Sequence, residues 1–210
     1  MNYINDYEKS GKIEKYKKYI LMSKSPRRRD LLSFLKPEID SIRIDERAIE
    51  EKYMEKYKDC DFIERAGKTC AEIAKAKSDV DLVKDCLYIS SDTMVILDDK
   101  IYGKPRDMEE AREIFMSYFG KSHFVVTGVC LRSENYLDVF YSVAEVRFTD
   151  YYKALDDIID SYLKEGNVMD KAGAYGIQDL DPRLISYIKG DINTIIGLPV
   201  SEVSRRIVGE

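Results

Sequence analysis

The segment CLYISSDTMVILDDKIYGKP, residues 86–105, decides how the chain is read. CLYIS is apolar and free of Gly and Pro, which predicts a buried strand ending at Ser91-Asp92-Thr93, and MVILDDKIYGKP predicts two short strands joined by the Asp98-Asp99 turn. Asp92 and Lys104 would then flank one hairpin. A carboxylate on such a rim can hold a divalent cation or accept a proton from water, while a lysine opposite it offsets phosphate charge, so the pair suits phosphate ester hydrolysis. Taken as an isolated pair, the same residues also read as a turn cap and a solvated lysine.

Upstream, YILM (residues 19–22) predicts a strand, followed by a loop and a helix with the stripe Leu31, Leu32 and Leu35. Ser25 fits the N-cap and Pro26 the first helical position, yet Arg27, Arg28 and Arg29 follow at the positive end of the helix dipole. Each cation there is unfavourable by about 0.3–1 kcal/mol unless an anion sits against that end. Hydroxyls, backbone N–H groups and cations in one turn make a phosphate cradle, although the glycines of a Walker A loop are absent. Three consecutive helical positions span about 200°, so the three arginines cannot all face one ligand. EIDSIRID alternates like a strand, and DFIERAGKTCAEIAKAK puts Ile63, Ala66, Cys70, Ile73 and Ala74 on one helical face that arrives, one turn on, at Lys77. Asp45-Glu46 offers hard oxygen ligands for magnesium or manganese, with Glu46 the better placed.

Downstream, Asp107 caps a helix with the stripe Met108, Ala111, Phe115 and Tyr118 or Phe119, ended by Gly120. Two strands follow, HFVVTGVCL and YLDVFYSVAEVRF, then a helix over about 150–165 closing at Gly166. Beyond the loop DKAGAYGIQDLDP the pattern predicts a short helix from Pro182 to just before Gly190, a strand near TIIG and a last helix after Pro199. Residues 1–18 are charged on every side and read as a polar N-terminal extension, a frayed helix or disordered tail, before one mixed α/β domain over 19–210.

Composition narrows the chemistry. The 210 residues carry a net charge of −5 with Lys/Arg and Asp/Glu nearly balanced, which argues against a general nucleic-acid coat and makes any anion site local. Cys60, Cys70, Cys86 and Cys130 lie far apart with no CxxC, so neither a zinc cluster nor a disulfide framework is expected, and a reducing cytoplasm is the simplest setting. No signal peptide or membrane span is legible, and a soluble protein is expected. With one histidine, His123, which reads as a strand residue near an edge, carboxylates and lysines are left to do the chemistry.

These residues together resemble the Maf-like nucleoside triphosphate pyrophosphatases. SKSPRRRDLL is similar to the family's S-x-S-P-R-R-x-E-L-L start, SSDTMVILDDKIYGKPRDMEEA to its A-D-T to G-K-P segment, and DKAGAYGIQ with IIGLPV to its C-terminal signature; the likeness covers about residues 19–208. It implies an elongated mixed sheet with flanking helices, two lobes around a nucleotide-binding cleft, and commonly a homodimer. It implies Asp92 as the catalytic proton acceptor, Ser23, Arg27, Lys77, Lys104 and Gln178 at the substrate, and Glu46 with Asp92 at a divalent metal (Mg2+, Mn2+ or Co2+). Arg27, Thr93 and Gln178 match the subgroup acting on dTTP and UTP, whereas the 7-methyl-GTP subgroup departs at the first-loop arginine and the Gln. The chain differs from the family pattern at Asp179, where Gly is usual, at Arg47 and at Ser78, and Lys75 competes with Lys77 if the helix register slips.

The expected activity is therefore hydrolysis of dTTP, UTP or modified pyrimidine nucleotides to the monophosphate and pyrophosphate, without nucleic-acid or membrane partners. The rival readings are a nucleotide-binding cell-division regulator with little hydrolysis and a pyrophosphatase of different base preference, such as 7-methyl-GTP. Retention of a carboxylate suited to general-base work beside the lysines favours the enzyme.

Overall fold

A computed structural model describes residues 3–165 and 167–209. Its frame is an eight-stranded mixed sheet in the order β1 (Ile4–Gly11), β7 (Tyr136–Phe148), β6 (Ser122–Ser133), β4 (Cys86–Leu97), β2 (Lys18–Leu21), β3 (Glu38–Ile39). A short β5 (Lys100–Tyr102) pairs with β4, and β8 (Ile185–Lys189) pairs with β7. β2 runs parallel to β3 and β4, and every other pairing is antiparallel.

Strand alternation sorts the core onto the two faces. Met94, Ile96 and Val126 meet Ala66, Cys70 and Ile73 of α3 (Phe62–Lys77). Val95, Leu97 and Val125 pack with Ala111 and Phe115 of α4 (Met108–Ser117) and with Ile159 and Leu163 of α5 (Asp156–Glu165). α3 lies unusually close to the sheet. A Cβ on Gly128 would sit 2.3 Å from the carbonyl carbon of Cys70, and Gly128 is the register partner of Asp92. That close approach carries the last turns of α3 over the middle of β4.

The remaining elements are α1 (Pro26–Leu31), α2 (Glu46–Lys56), α6 (Ile192–Ile196) and α7 (Val200–Val208). Several expectations need correction. β4 does not stop at Ser91-Asp92-Thr93 but continues to Leu97, because its polar side chains are satisfied internally: Ser90 donates to the Ala74 carbonyl at 2.6 Å and Ser91 to the Gly197 carbonyl at 3.1 Å. Residues 4–11 are neither a frayed helix nor a tail. They form β1 along β7, with Glu8 ion-paired to Lys75 at 2.6 Å, Lys9 to Asp138 at 2.9 Å, and Asp6 to Arg206.

EIDSIRID supplies only the two-residue β3, and 46–56 forms a helix that the apolar pattern did not announce. The region after Pro182 is a single 3-10 turn followed by β8, and TIIG closes α6 where a strand was expected: Asp191 caps that helix by accepting from the Asn193 N–H at 2.9 Å. His123 lies on β6, between β4 and β7, and so is central. The expected helix stop at Gly166 lies outside the described residues.

Candidate active site

A cavity of about 1140 Å³ opens where β4, the loop before α1, the start of α2, the end of α3, the β5–α4 loop and residues 170–178 meet. Ser23, Arg27, Glu46, Lys77, Asp92, Thr93, Lys104 and Gln178 all line it. Lys75 does not, since it faces the other way to Glu8.

Successive residues of β4 serve opposite sides of the site. Asp92 points to the α3 face, where it accepts a hydrogen bond from Lys77 Nζ at 2.8 Å; the same ammonium lies 3.1 Å from Glu46 Oε1. Side-chain exposures of 14% for Lys77, 12% for Asp92 and 55% for Glu46 place the lysine–aspartate pair deep and the glutamate at the mouth. Thr93 points the other way and pairs in register with Thr127. Thr127 spends its proton on the Thr194 carbonyl at 2.8 Å, so in the 2.9 Å contact between the two hydroxyls Thr93 is the donor. Arg28 already donates to Thr93 at 3.1 Å, and what Thr93 can still offer a ligand is an acceptor.

The arginine run divides by direction. Arg27 reaches the cavity and lies 3.4 Å from Asp170, while Arg29 turns out toward Asp30. Arg28 lies partly buried at the floor and donates through three nitrogens, to the Gly197 carbonyl at 2.9 Å, to Ser23 at 3.3 Å and to Thr93 at 3.1 Å. Desolvation pulls its pKa below the ordinary guanidinium value, and the Asp92 charge opposes that shift. Among the described residues Lys104 has no ion pair and Gln178 no hydrogen bond, so both are available at the rim.

Two contributors escaped the sequence reading. Arg28 was one of three equivalent cations, and only the partner elements identify it. Glu50 follows Glu46 by one helical turn and also lines the cavity; burial pushes its carboxyl pKa up, with the Asp92 charge adding to the shift. Recognition of α2 as a helix would have found it.

Among the described residues no three His, Cys, Asp or Glu side chains are arranged to hold a metal on their own. Glu46 and Asp92 already bracket one cation, the Lys77 ammonium. Two such carboxylates fit a hard divalent ion that completes its shell with water and phosphate oxygens.

Behind the cavity wall His123 is fully buried, stacked on Tyr118 at 4.2 Å and hydrogen-bonded through Nε2 to the Tyr175 hydroxyl at 2.7 Å. Burial holds its pKa down at about 3. Tyr175 lines the cavity, so the imidazole supports the wall and has no proton to lend at neutral pH.

A family model described as Maf-like protein matches residues 18–209. The chain is 36% identical over 188 residues to a dTTP/UTP pyrophosphatase of Thermosipho africanus, covering 89% of this chain and 90% of that protein. It is 37% identical over 194 residues to one of Pyrococcus furiosus, covering 91% and 94%. A third, of Thermotoga maritima, is 37% identical over 188 residues, covering 88% and 85%.

Proposed function

The chain belongs to the Maf-like protein family, and on that premise we propose that it is a nucleoside triphosphate pyrophosphatase acting on dTTP and UTP. The names of its relatives and the convergence of the cavity residues support this reading. Water attacks the α-phosphorus, the bond from that phosphorus to the bridging oxygen breaks, and pyrophosphate leaves with the monophosphate left behind. Asp92 takes the proton from the attacking water. Lys77, hydrogen-bonded to Asp92, holds the carboxylate in place and offsets charge as it builds on the phosphate oxygens. Ser23 and Arg27 at the α1 end and Lys104 across the cavity grip the polyphosphate. Glu46 and Asp92 would hold a divalent cation together with the phosphates, and such an ion supplies further neutralisation of the polyphosphate.

The Gln178 amide presents donor and acceptor together, matching the imide edge of uracil or thymine, and the acceptor left on Thr93 complements an N–H. A base with the wrong edge would leave these groups unpaired. Modified pyrimidines that keep the imide belong to the same substrate class. A homodimer and a cytoplasmic setting complete the proposal. Among the described residues the four cysteines are free and no helix is long and apolar enough to cross a membrane.

The observation that carries the proposal is the Glu46–Lys77–Asp92 chain inside the cavity that Gln178 also lines. Asp92→Asn is expected to lower pyrophosphate release from UTP by about a hundredfold or more while the triphosphate still binds. Near-normal turnover in that variant would remove Asp92 from the role of proton acceptor.

A further inference from the structure

Gln178 sits on a tight turn rather than on a strand or helix, and the turn is held from three sides. The Asp179 N–H donates to the Gly176 carbonyl at 3.0 Å, closing a four-residue turn with Ile177 and Gln178 at its tip. The Gly176 N–H donates to the Tyr162 hydroxyl at 2.8 Å. Beneath the turn runs the stem of Lys171, so close that a Cβ on Gly176 would lie 2.8 Å from Lys171 Cε. The Lys171 side chain is only 7% exposed; its ammonium donates to the Asn167 carbonyl at 2.9 Å and lies between two carboxylates, 3.5 Å from Asp170 Oδ1 and 3.6 Å from Asp179 Oδ2. Asp179 therefore fastens the far end of the turn to the lysine on which the near end rests.

We propose that Asp179 is a positioning residue for base selection: its ion pair with Lys171 fixes the Gly176–Asp179 turn and with it the direction of the Gln178 amide. A Gly at 179 would keep the turn hydrogen bond but lose this tie and gain backbone freedom, so the amide would sweep a wider arc. The consequence falls first on recognition, since Asp92, Lys77 and Lys104 belong to β4, α3 and the loop after β5, and the turn meets the phosphate side through Asp170, which Lys171 shares with Arg27. The inference rests on the reading that Gln178 meets the base.

Steady-state kinetics of full-length wild type, Asp179→Gly and Asp179→Asn with UTP and CTP, together with binding of a non-hydrolysable UTP analogue, test it. Asp179→Gly is expected to raise KM for UTP and weaken analogue binding by about fivefold, the scale of one partly exposed ion pair, with kcat within about twofold. Its preference for UTP over CTP should fall by about the same factor. Asp179→Asn, which loses the charge but keeps a polar side chain and a non-glycine backbone at the same place, should lie between the two. Unchanged KM and preference in both variants, or an equal loss on UTP and CTP, would overturn the positioning role. A wild type that hydrolyses both nucleotides without preference would overturn the base-recognition reading, and the role of Asp179 with it.

Discussion

Arg28 offers the sharpest test of how the site is built, because its loss should damage catalysis far more than folding. Its guanidinium ties three separate segments: Ser23 before α1, Thr93 on β4 and Gly197 at the end of α6. In Arg28→Met all three bonds vanish, and at a net worth of about 1 kcal/mol each the loss would be about 3 kcal/mol. Two features reduce it. Each acceptor keeps a second partner: the Gly197 carbonyl holds Ser91 at 3.1 Å, Thr93 holds Thr127 at 2.9 Å, and Ser23 accepts from the Ser25 N–H at 3.2 Å. None is left wholly unpaired, and the unfavourable desolvation of the cation disappears as well. A net destabilisation of about 1–2 kcal/mol follows, a fall in Tm of about 2–8 °C for a chain of this size.

The kinetic effect has no such compensation, because Ser23 and Thr93 lose the guanidinium that bridges them, and a displacement near 1 Å can cost about a hundredfold in rate. Arg28→Lys should resemble Met, since one ammonium cannot reach three acceptors on three elements. The assays are thermal melting and pyrophosphate release on the same samples. Turnover within about threefold of wild type in either variant would refute the bridging role. A loss of the folded state at room temperature would refute the compensation.

Two further outcomes concern stability. The unfolded chain protonates His123 near its ordinary value of 6.5, but the folded chain does so only near 3, so the stability tied to neutral His123 is whole above about pH 6.5 and drains away as pH falls toward 3. Unfolding free energies from urea titrations at pH 7 and 5 should differ by about 2 kcal/mol more in wild type than in His123→Gln, and identical pH dependence would count against the buried neutral imidazole. Arg206 joins α7 to β7 and β1 through Asp138 at 2.6 Å and Asp6, with Asp138 nearly fully buried. Asp138 keeps Lys9 at 2.9 Å and the Tyr136 hydroxyl at 2.8 Å, so Arg206→Met should cost about 1.5–3 kcal/mol and expose residues 4–11 to limited proteolysis, leaving kcat of the folded fraction unchanged; a protected N-terminal strand would argue against that clamp.

How far the sequence alone could go depended on whether the determining contact was local. The period of α3 carried its apolar face to Lys77, and the structure puts that lysine in the cavity while Lys75 lies outside it, so the phase of one helix decided between two neighbours. The long alternation of β6 and β7 and the Asp107 cap of α4 were equally local. SSDT looks like a boundary and so shortens β4 in any local prediction, yet its hydroxyls find partners in α3, Thr127 and Gly197, none of which is near in sequence. β1 was missed for a related reason: its backbone pairs with β7, and its charges are neutralised by Lys75 and Arg206, 67 and 200 residues away. α2 buries no side chain fully, so it had no apolar stripe to show; its Asp45 cap and the Arg47–Glu51 pair help hold it.

The arginine run sets the limit most clearly. From Pro26 the helix advances about 100° per residue, which says that Arg27, Arg28 and Arg29 diverge, but not which of them turns inward. That choice belongs to Thr93 and the Gly197 carbonyl, 65 and 169 residues along the chain. The helix α1 is only six residues long, so its dipole weighs little against these partners. The same cations that look misplaced at a helix start are thereby assigned separately: one to the open cavity, one to its floor, one to solvent.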